Sequence, residues 1–341
     1  MNSCKEKINS FASLLQDDKV GELSLQPFPQ KYLLYLLDNI DYYLQTYAHL
    51  LDLVIVNSSK PIANITLLDQ GCGNGLLGLF AKHCGFGKVL MNDLDKDFIE
   101  AAQQISNQTG LLCEDFITGD IDAVIENALI KPDVIVSTDV FEHIYDPLKF
   151  LKLVKEWNND VMLFFKTPSN PANPILNNRL RKMQQKDEWE GGTANDYATF
   201  GEQHLPYRSI RKNIIEETGI KLSEDEFNRL IELTRGLRKD DIITVINVYS
   251  QHKVFPVKPL HPTNTCHPLT GSWTERLLTA GQYEKIFSEA GFILKIENGF
   301  YNQWKHNQIH SFIMRMANAV LSIMGKYAAP YIVLIGKPYN N

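Results

Sequence analysis

Cysteine is scarce in this chain of 341 residues, and its five copies are scattered. Cys4, Cys72, Cys84, Cys113 and Cys266 form no C-x-x-C pair, which excludes a zinc ribbon and a disulfide framework. Reduced, mostly buried thiols in a cytoplasmic setting are expected instead. Uninterrupted apolar runs are also missing. Lys31 to Val56 is broken by Asp38, Asp41 and Asp52, and Ile309 to Gly336 by Arg315 and Lys326. Neither offers the ~20 clean apolar residues of a membrane span. Met1 to Leu15 has no apolar signal-peptide core. Positive charge is not in excess: the formal net charge is −6, so no general nucleic-acid partner is expected. There is no internal repeat and no low-complexity tract. With 44% hydrophobic and 22% charged residues, what remains is an ordinary globular chain of about two domain lengths.

The first 57 residues read as helical. After Pro27 and Pro29, apolar residues from Tyr32 to Leu51 recur at three- and four-residue spacing. From Ile62 the pattern changes to short apolar runs alternating with helical segments. The runs are Ile65 to Leu68, Lys88 to Met91, Asp115 to Thr118, Asp133 to Ser137 and Val161 to Phe165. Helical segments begin near Leu76, Asp95, Asp122 and Asp146. Such alternation predicts a parallel sheet with helices on both faces. It stops at Pro168, Pro171 and Pro174. A charged, helix-rich stretch follows, with helices predicted over Ser209–Thr218 and Ser223–Leu237, the second opened by a capping box of Ser223 and Glu226. Phe292 to Ile296 and Tyr331 to Ile335 read as strands returning to the sheet. The expected organisation is a helical extension at 1–57, a core at 58–170, an inserted helical cap at 171–265 and a part at 266–341 that completes the sheet.

The strongest motif is Leu67-Leu68-Asp69-Gln70-Gly71-Cys72-Gly73-Asn74-Gly75-Leu76, at the turn from the first strand into a helix. Glycines at alternate positions permit a sharp bend and the close approach of a ligand. Forcing G-x-G-x-x-G onto Gly73, Gly75 and Gly78 would place the glycines inside the helix, against a dinucleotide site. The Asp-x-Gly-x-Gly-x-Gly pattern resembles motif I of class I S-adenosylmethionine-dependent methyltransferases of the small-molecule type. The resemblance continues at Met91-Asn92-Asp93, at Ile117-Thr118-Gly119-Asp120, and at Thr138-Asp139-Val140-Phe141-Glu142-His143, which looks like a motif IV "EH" segment. It covers about 62–170 and resumes at 279–300 and 331–338.

The resemblance implies an α/β, Rossmann-like fold with a seven-stranded, mostly parallel sheet, N-terminal helices and an inserted helical cap. It implies S-adenosyl-L-methionine as cofactor, with Asp69, Gly71, Cys72, Gly73, Gly75, Asp93, Leu94, Asp120, Ile121 and Thr138 around it. Asp93 would hold the ribose hydroxyls and Asp120 the adenine amino group, while Asp95 reads as a helix cap.

Glu142 and His143 read three ways: as pocket-shaping groups, with His143 as a general base, or as metal ligands with Asp139. Metal-using relatives, among them ubiquinone-pathway O-methyltransferases and small-RNA 2′-O-methyltransferases, carry Glu where this chain has Asp139. His204 is the one distant candidate ligand, and no metal is expected. His204 and Tyr207, in Glu202-Gln203-His204-Leu205-Pro206-Tyr207, are the further candidate catalytic residues beside His143, at the start of the cap. Tyr42, Tyr43 and Tyr47 read as core packing, and His261 and His267 as solvated loop residues. Arg179, Arg181, Lys182 and Lys186 read as a solvated helix face. The expected activity is methyl transfer to a small molecule, at a hydroxyl, in a protein without a membrane span that is compatible with a homodimer. An RNA or protein methyltransferase, or a non-catalytic donor-binding protein, are the alternatives.

Overall fold

The computed structural model describes residues 3–193, 203–255, 263–302 and 307–339. In chain order it contains α1 (Ile8–Asp17), α2 (Pro27–Asp38), α3 (Ile40–Asn57), β1 (Thr66–Gln70), α4 (Leu76–Cys84), β2 (Lys88–Asp93), α5 (Lys96–Thr109), β3 (Asp115–Thr118), α6 (Ile121–Asn127), β4 (Val134–Thr138), α7 (Pro147–Trp157) and β5 (Met162–Thr167). Then come α8 (Pro174–Trp189), the two-residue strands β6 (Gly192–Thr193) and β7 (Gln203–His204), α9 (Tyr207–Glu217), α10 (Glu224–Leu233) and α11 (Lys239–His252). The chain closes with α12 (Ala280–Glu289), β8 (Phe292–Asn298), α13 (Gln308–Met324) and β9 (Ile332–Pro338).

The chain divides into two compact units. The first is Met1–Phe141, Pro147–Thr167 and Ala280–Asn341; the second is Glu142–Asp146 and Pro168–Thr279. The second unit therefore runs past residue 265, where the sequence suggested a boundary, and takes in a short piece of the motif IV segment. Hydrogen bonds explain both differences. Asn264 binds Gln184 and the backbone of Leu277, Thr274 Oγ1 donates to Asp187, and the Trp273 and Arg276 amides donate to the carbonyls of His143 and Glu142.

The first unit is built on a seven-stranded sheet of order β3-β2-β1-β4-β5-β9-β8. β1 to β5 are mutually parallel, and β9 runs antiparallel between β5 and β8. The parallel strands read as apolar runs because helices cover both faces; Val89, Leu90 and Met91 of β2 and Val134, Ile135 and Val136 of β4 are fully buried. The order reverses between β1 and β4, the switch point at which open α/β sheets bind ligands. α2 begins with Pro27 in its first turn, where a missing N–H costs nothing. α2 and α3 add Leu33, Leu44, Leu51 and Val54 to the core of the sheet.

The second unit has its own core, from Ile214 and Ile215 of α9, Leu230 and Ile231 of α10, and Ile242 and Ile246 of α11. The capping box at Ser223 and Glu226 is present and starts α10. The predicted helices at 209–218 and 223–237 correspond to α9 and α10, while α8 and α11 were not predicted individually. The outer face of α8 carries the exposed Arg179, Arg181, Lys182 and Lys186. Its inner face carries Glu188, fully buried against the equally buried Arg211, with Nη1 donating to Oε2 at 3.0 Å and Thr265 donating to the same oxygen at 2.8 Å.

Removing one partner of such a pair leaves the other charge buried without compensation, at a cost of about 3–5 kcal/mol. Glu188→Ala is expected to lower the unfolding midpoint of the second unit in urea, whereas Glu190→Ala, two residues on and exposed, leaves it in place. Equal midpoints for the two variants would show that the buried pair does not hold this unit.

Candidate functional site

The sheet's register brings the site residues of the first unit to one edge. Gln70 pairs with Asn92, and Asp93 with Thr118, so the carboxyl ends of β1, β2 and β3 lie side by side. β4 ends beside them at Thr138. The glycine turn leaves β1 with positive φ at Gly71 (+68°) and Gly75 (+75°). A Cβ at Gly71 would stand 2.5 Å from Val140, and one at Gly75 2.7 Å from Met91 Sδ. Both glycines are thus required by conformation and by space.

Asp69 is buried within β1, and its Oδ2 accepts the Gly78 N–H at 2.9 Å. Burial raises its pKa to about 7, against the lowering effect of that bond. Asp93, at the tip of β2, accepts Gly73 N–H at 2.9 Å on Oδ2 and Asp95 N–H at 3.0 Å on Oδ1. It is 6% exposed, and burial raises its pKa to about 6, again opposed by its amide partners. Cys72 sits inside the turn, its amide donating to the Asn92 carbonyl. Leu94 is 73% exposed and Ile121 is buried. Asp120 caps α6 by accepting from Ala123, and Asp95 caps α5 by accepting from Asp97, as the cap reading of Asp95 expected. Thr138 is half-buried at the end of β4.

Three features here were not read from the sequence. A buried chain of amides, Gln70 Nε2 to Asn92 Oδ1 and Asn92 Nδ2 to the carbonyls of Ile117 and Gly119, crosses the ends of the first three strands. Lys166 of β5, nearly buried, donates to both oxygens of half-exposed Asp139 at 2.7 Å. Asp139 itself has a positive φ of 58°, and its amide donates to the Lys166 carbonyl at 3.0 Å. A lysine in an otherwise apolar strand is the signal that flags this pair, since a cation there requires a counter-charge. The third feature is Tyr32 of α2, whose ring lies where a Cβ on Gly73 would meet it at 3.3 Å. Burial, then the charges of Asp139 and Asp93, hold the Tyr32 phenol above its ordinary pKa. Tyr47 is buried as the packing reading had it, and burial, then a hydrogen bond with Tyr35, raise the Tyr43 phenol.

In the second unit, His143 Nδ1 meets the Trp273 carbonyl at 2.7 Å. A carbonyl only accepts, so Nδ1 carries a proton, and in the neutral ring Nε2 has the lone pair. Tyr207 is buried edge-on against His267, ring centroids 5.2 Å apart. His204 lies in β7, and its side chain is outside the described residues, as is all of His261. His267 is not solvated: it is 7% exposed, and its Nδ1 accepts the amides of Leu269 and Thr270, which closes a turn. Among the described residues no three His, Cys, Asp or Glu side chains gather as a metal would need.

Comparison with known proteins places this geometry in a family. Residues 41–222, more than half of the chain, match the model described as a methyltransferase domain. The chain belongs to that family, the class I S-adenosylmethionine-dependent methyltransferases, whose cofactor is S-adenosyl-L-methionine. It is 42% identical over 72 residues to the ribosomal protein L11 methyltransferase of Burkholderia thailandensis, a match covering 20% of this chain and 24% of that protein. The chain thus spans about a quarter of the length of the curated relatives it matches. Among solved structures it resembles a magnesium protoporphyrin IX methyltransferase from Synechocystis with bound S-adenosylhomocysteine (12% identity, 98% of this chain and 99% of that one, TM-score 0.40). It also resembles an S-adenosylmethionine-dependent methyltransferase from Mesorhizobium loti (14% identity, 84% and 97%, TM-score 0.39).

The residues present fit that cofactor. Gln70 Oε1 is buried beside the glycine turn with no hydrogen-bond partner, and the oxygens of Asp93 retain lone pairs for a vicinal diol.

The raised carboxylates set a pH dependence. Their native pKa values lie above the unfolded value of ~3.9, so the native state holds extra protons between about pH 4 and 7. Their contribution to stability is full below about pH 4 and is lost as pH rises through 6 and 7. Hydroxyls donating to Asp93 favour its charged form, so donor binding near pH 6 is expected to release protons, and at pH 8 it is not. Calorimetry in buffers of different ionisation enthalpy measures this. Asp93→Asn is expected to lose the release and weaken binding by roughly ten- to a hundredfold; unchanged release in that variant would exclude Asp93 as its source.

Proposed function

We propose that this chain transfers the methyl group of S-adenosyl-L-methionine to a hydroxyl of a small molecule. When bound, the sulfonium cofactor supplies a methyl group that is already electrophilic. Asp69, Gly71, Gly73 and Gly75 shape its site, Asp93 holds the ribose, and Asp120, Ile121, Leu94, Cys72 and Thr138 surround the rest. The observation that carries the small-acceptor reading is the half-exposed Asp139 carboxylate at the end of β4. It is anchored by Lys166, whose ammonium also lies over the Tyr331 ring at 5.4 Å, and its charge adds to burial in raising the Tyr32 phenol. A carboxylate among aromatic side chains suits a compact hydroxylated molecule better than an extended polymer. The net charge of −6 also favours a small acceptor over a nucleic acid.

A hydroxyl acceptor must lose a proton, and His143, with Nε2 bearing the lone pair, is the proposed base. His204 and Tyr207 are proposed to help orient the acceptor. No metal is required in this reading, since Asp139 is already engaged by Lys166 and His143 by a carbonyl. The unpaired thiols among the described residues support a cytoplasmic setting.

Methyl-labelled donor, offered with a panel of phenols and hydroxy acids or with ribosomal protein and RNA, tests the acceptor class. Label is expected in the low-mass fraction and is expected to persist in EDTA; label confined to protein or RNA would overturn the reading. On the accepted molecule, His143→Ala is expected to lower kcat by roughly 10²–10⁴-fold with donor affinity intact, and Tyr207→Phe and His204→Ala to lower it less. Full turnover in His143→Ala would remove the proposed base.

A further inference from the structure

Helix α13 has no buried residue, although it is one of the most apolar segments of the chain. Ile309, Phe312, Ile313, Met316, Val320 and Ile323 follow three- and four-residue spacing and make one stripe, each between 45% and 87% exposed. The helix is not free to turn that stripe inward. Asn318 fixes its rotation by accepting the Tyr301 amide and donating to the Tyr301 carbonyl, both at 2.8 Å. Arg315 lies on the helix beside the stripe, Lys326 follows in the short turn Gly325–Tyr327 just past the helix end, and both are exposed.

Charge completes the pattern. Between Asn298 and Asn341 the sequence holds four Lys and Arg residues and no Asp or Glu, in a chain whose net charge is −6. An apolar stripe bordered by cations, with no acid nearby in sequence, complements acyl chains beneath anionic headgroups. It does not complement a second copy of itself, because a two-fold pairing of stripes would find no carboxylate on the helix to meet Arg315 and Lys326. Nor is it a span: the 17 residues reach only ~26 Å, and no described helix is long and apolar enough to cross a membrane.

We propose that α13 is an interfacial helix that seats this chain on an anionic lipid surface, with its apolar stripe in the acyl boundary and Arg315 and Lys326 at the phosphates. The proposal is independent of the acceptor reading and needs no turnover to test.

The full chain is sedimented with phosphatidylcholine vesicles with and without phosphatidylglycerol. Binding is expected only with the anionic lipid, and it weakens as salt is raised. Ile313→Glu with Ile323→Glu is expected to abolish it. Arg315→Gln with Lys326→Gln is expected to lower the partition coefficient by roughly tenfold or more. All four positions are exposed, and donor binding measured by calorimetry on each variant confirms an intact fold. Absence of sedimentation, equal binding with and without phosphatidylglycerol, or undiminished binding of the Ile313→Glu/Ile323→Glu chain would each overturn the proposal. A vesicle-indifferent dimer that the same double variant dissociates, read by light scattering, would assign the stripe to a second copy instead.

Discussion

Burying a carboxylate at the end of a parallel sheet is unfavourable unless amides face it, and the first unit is organised around two such carboxylates. Asp69 draws the first turn of α4 onto β1 through the Gly78 amide, and Asp93 draws the glycine turn and the start of α5 onto β2 through Gly73 and Asp95. These contacts set the path of the chain between the first two strands. They leave both acids incompletely compensated, which is why burial still dominates their pKa values. The same incomplete compensation makes Asp93 responsive to anything that donates hydrogen bonds to it. A stability cost in the empty protein becomes differential affinity for a ligand with hydroxyls in the right place.

The parallel sheet was legible because each strand is a short apolar run and each crossover a periodic helix, so local pattern and global topology agree. The glycine turn was legible for a related reason: positive φ and close approach admit few residue types, so position dictates identity. Lys166 and Asp139 were not paired in advance, because their partnership depends on β4 and β5 being neighbours, a fact of strand order rather than of local sequence. Tyr32 was hidden for the same reason. Its spacing says core face of a helix, and only the packing of α2 beside the glycine turn, secured by Asn74 Nδ2 donating to the Pro29 carbonyl, sets its ring against Gly73.

In the second unit the sequence revealed helices and their caps but not the boundary. Residues 263–279 have no regular structure to betray where they belong. They join that unit through individual polar groups, Asn264, Thr265 and Thr274 among them, each satisfied by one specific partner on or beyond α8. Such one-to-one pairings carry no periodicity. His267 was misjudged on the same ground: in a Pro-rich stretch a histidine looks solvated, and only the turn it closes shows why it is inside.

The placement of β9 has a consequence for the order in which the molecule is made. β9 follows β8 in sequence, yet it lies between β5 and β8 in the sheet, antiparallel to both. Until Ile332–Pro338 has been synthesised, β5 presents an unpaired, apolar edge and β8 has no neighbour at all. The nascent chain therefore waits with an open sheet while the whole second unit emerges, and β9 must thread into a gap between two elements already made. Long-range closure of this kind slows folding and prolongs exposure of a strand edge to other chains. A chain that stops just before Ile332 would thus be far more aggregation-prone than one that includes β9.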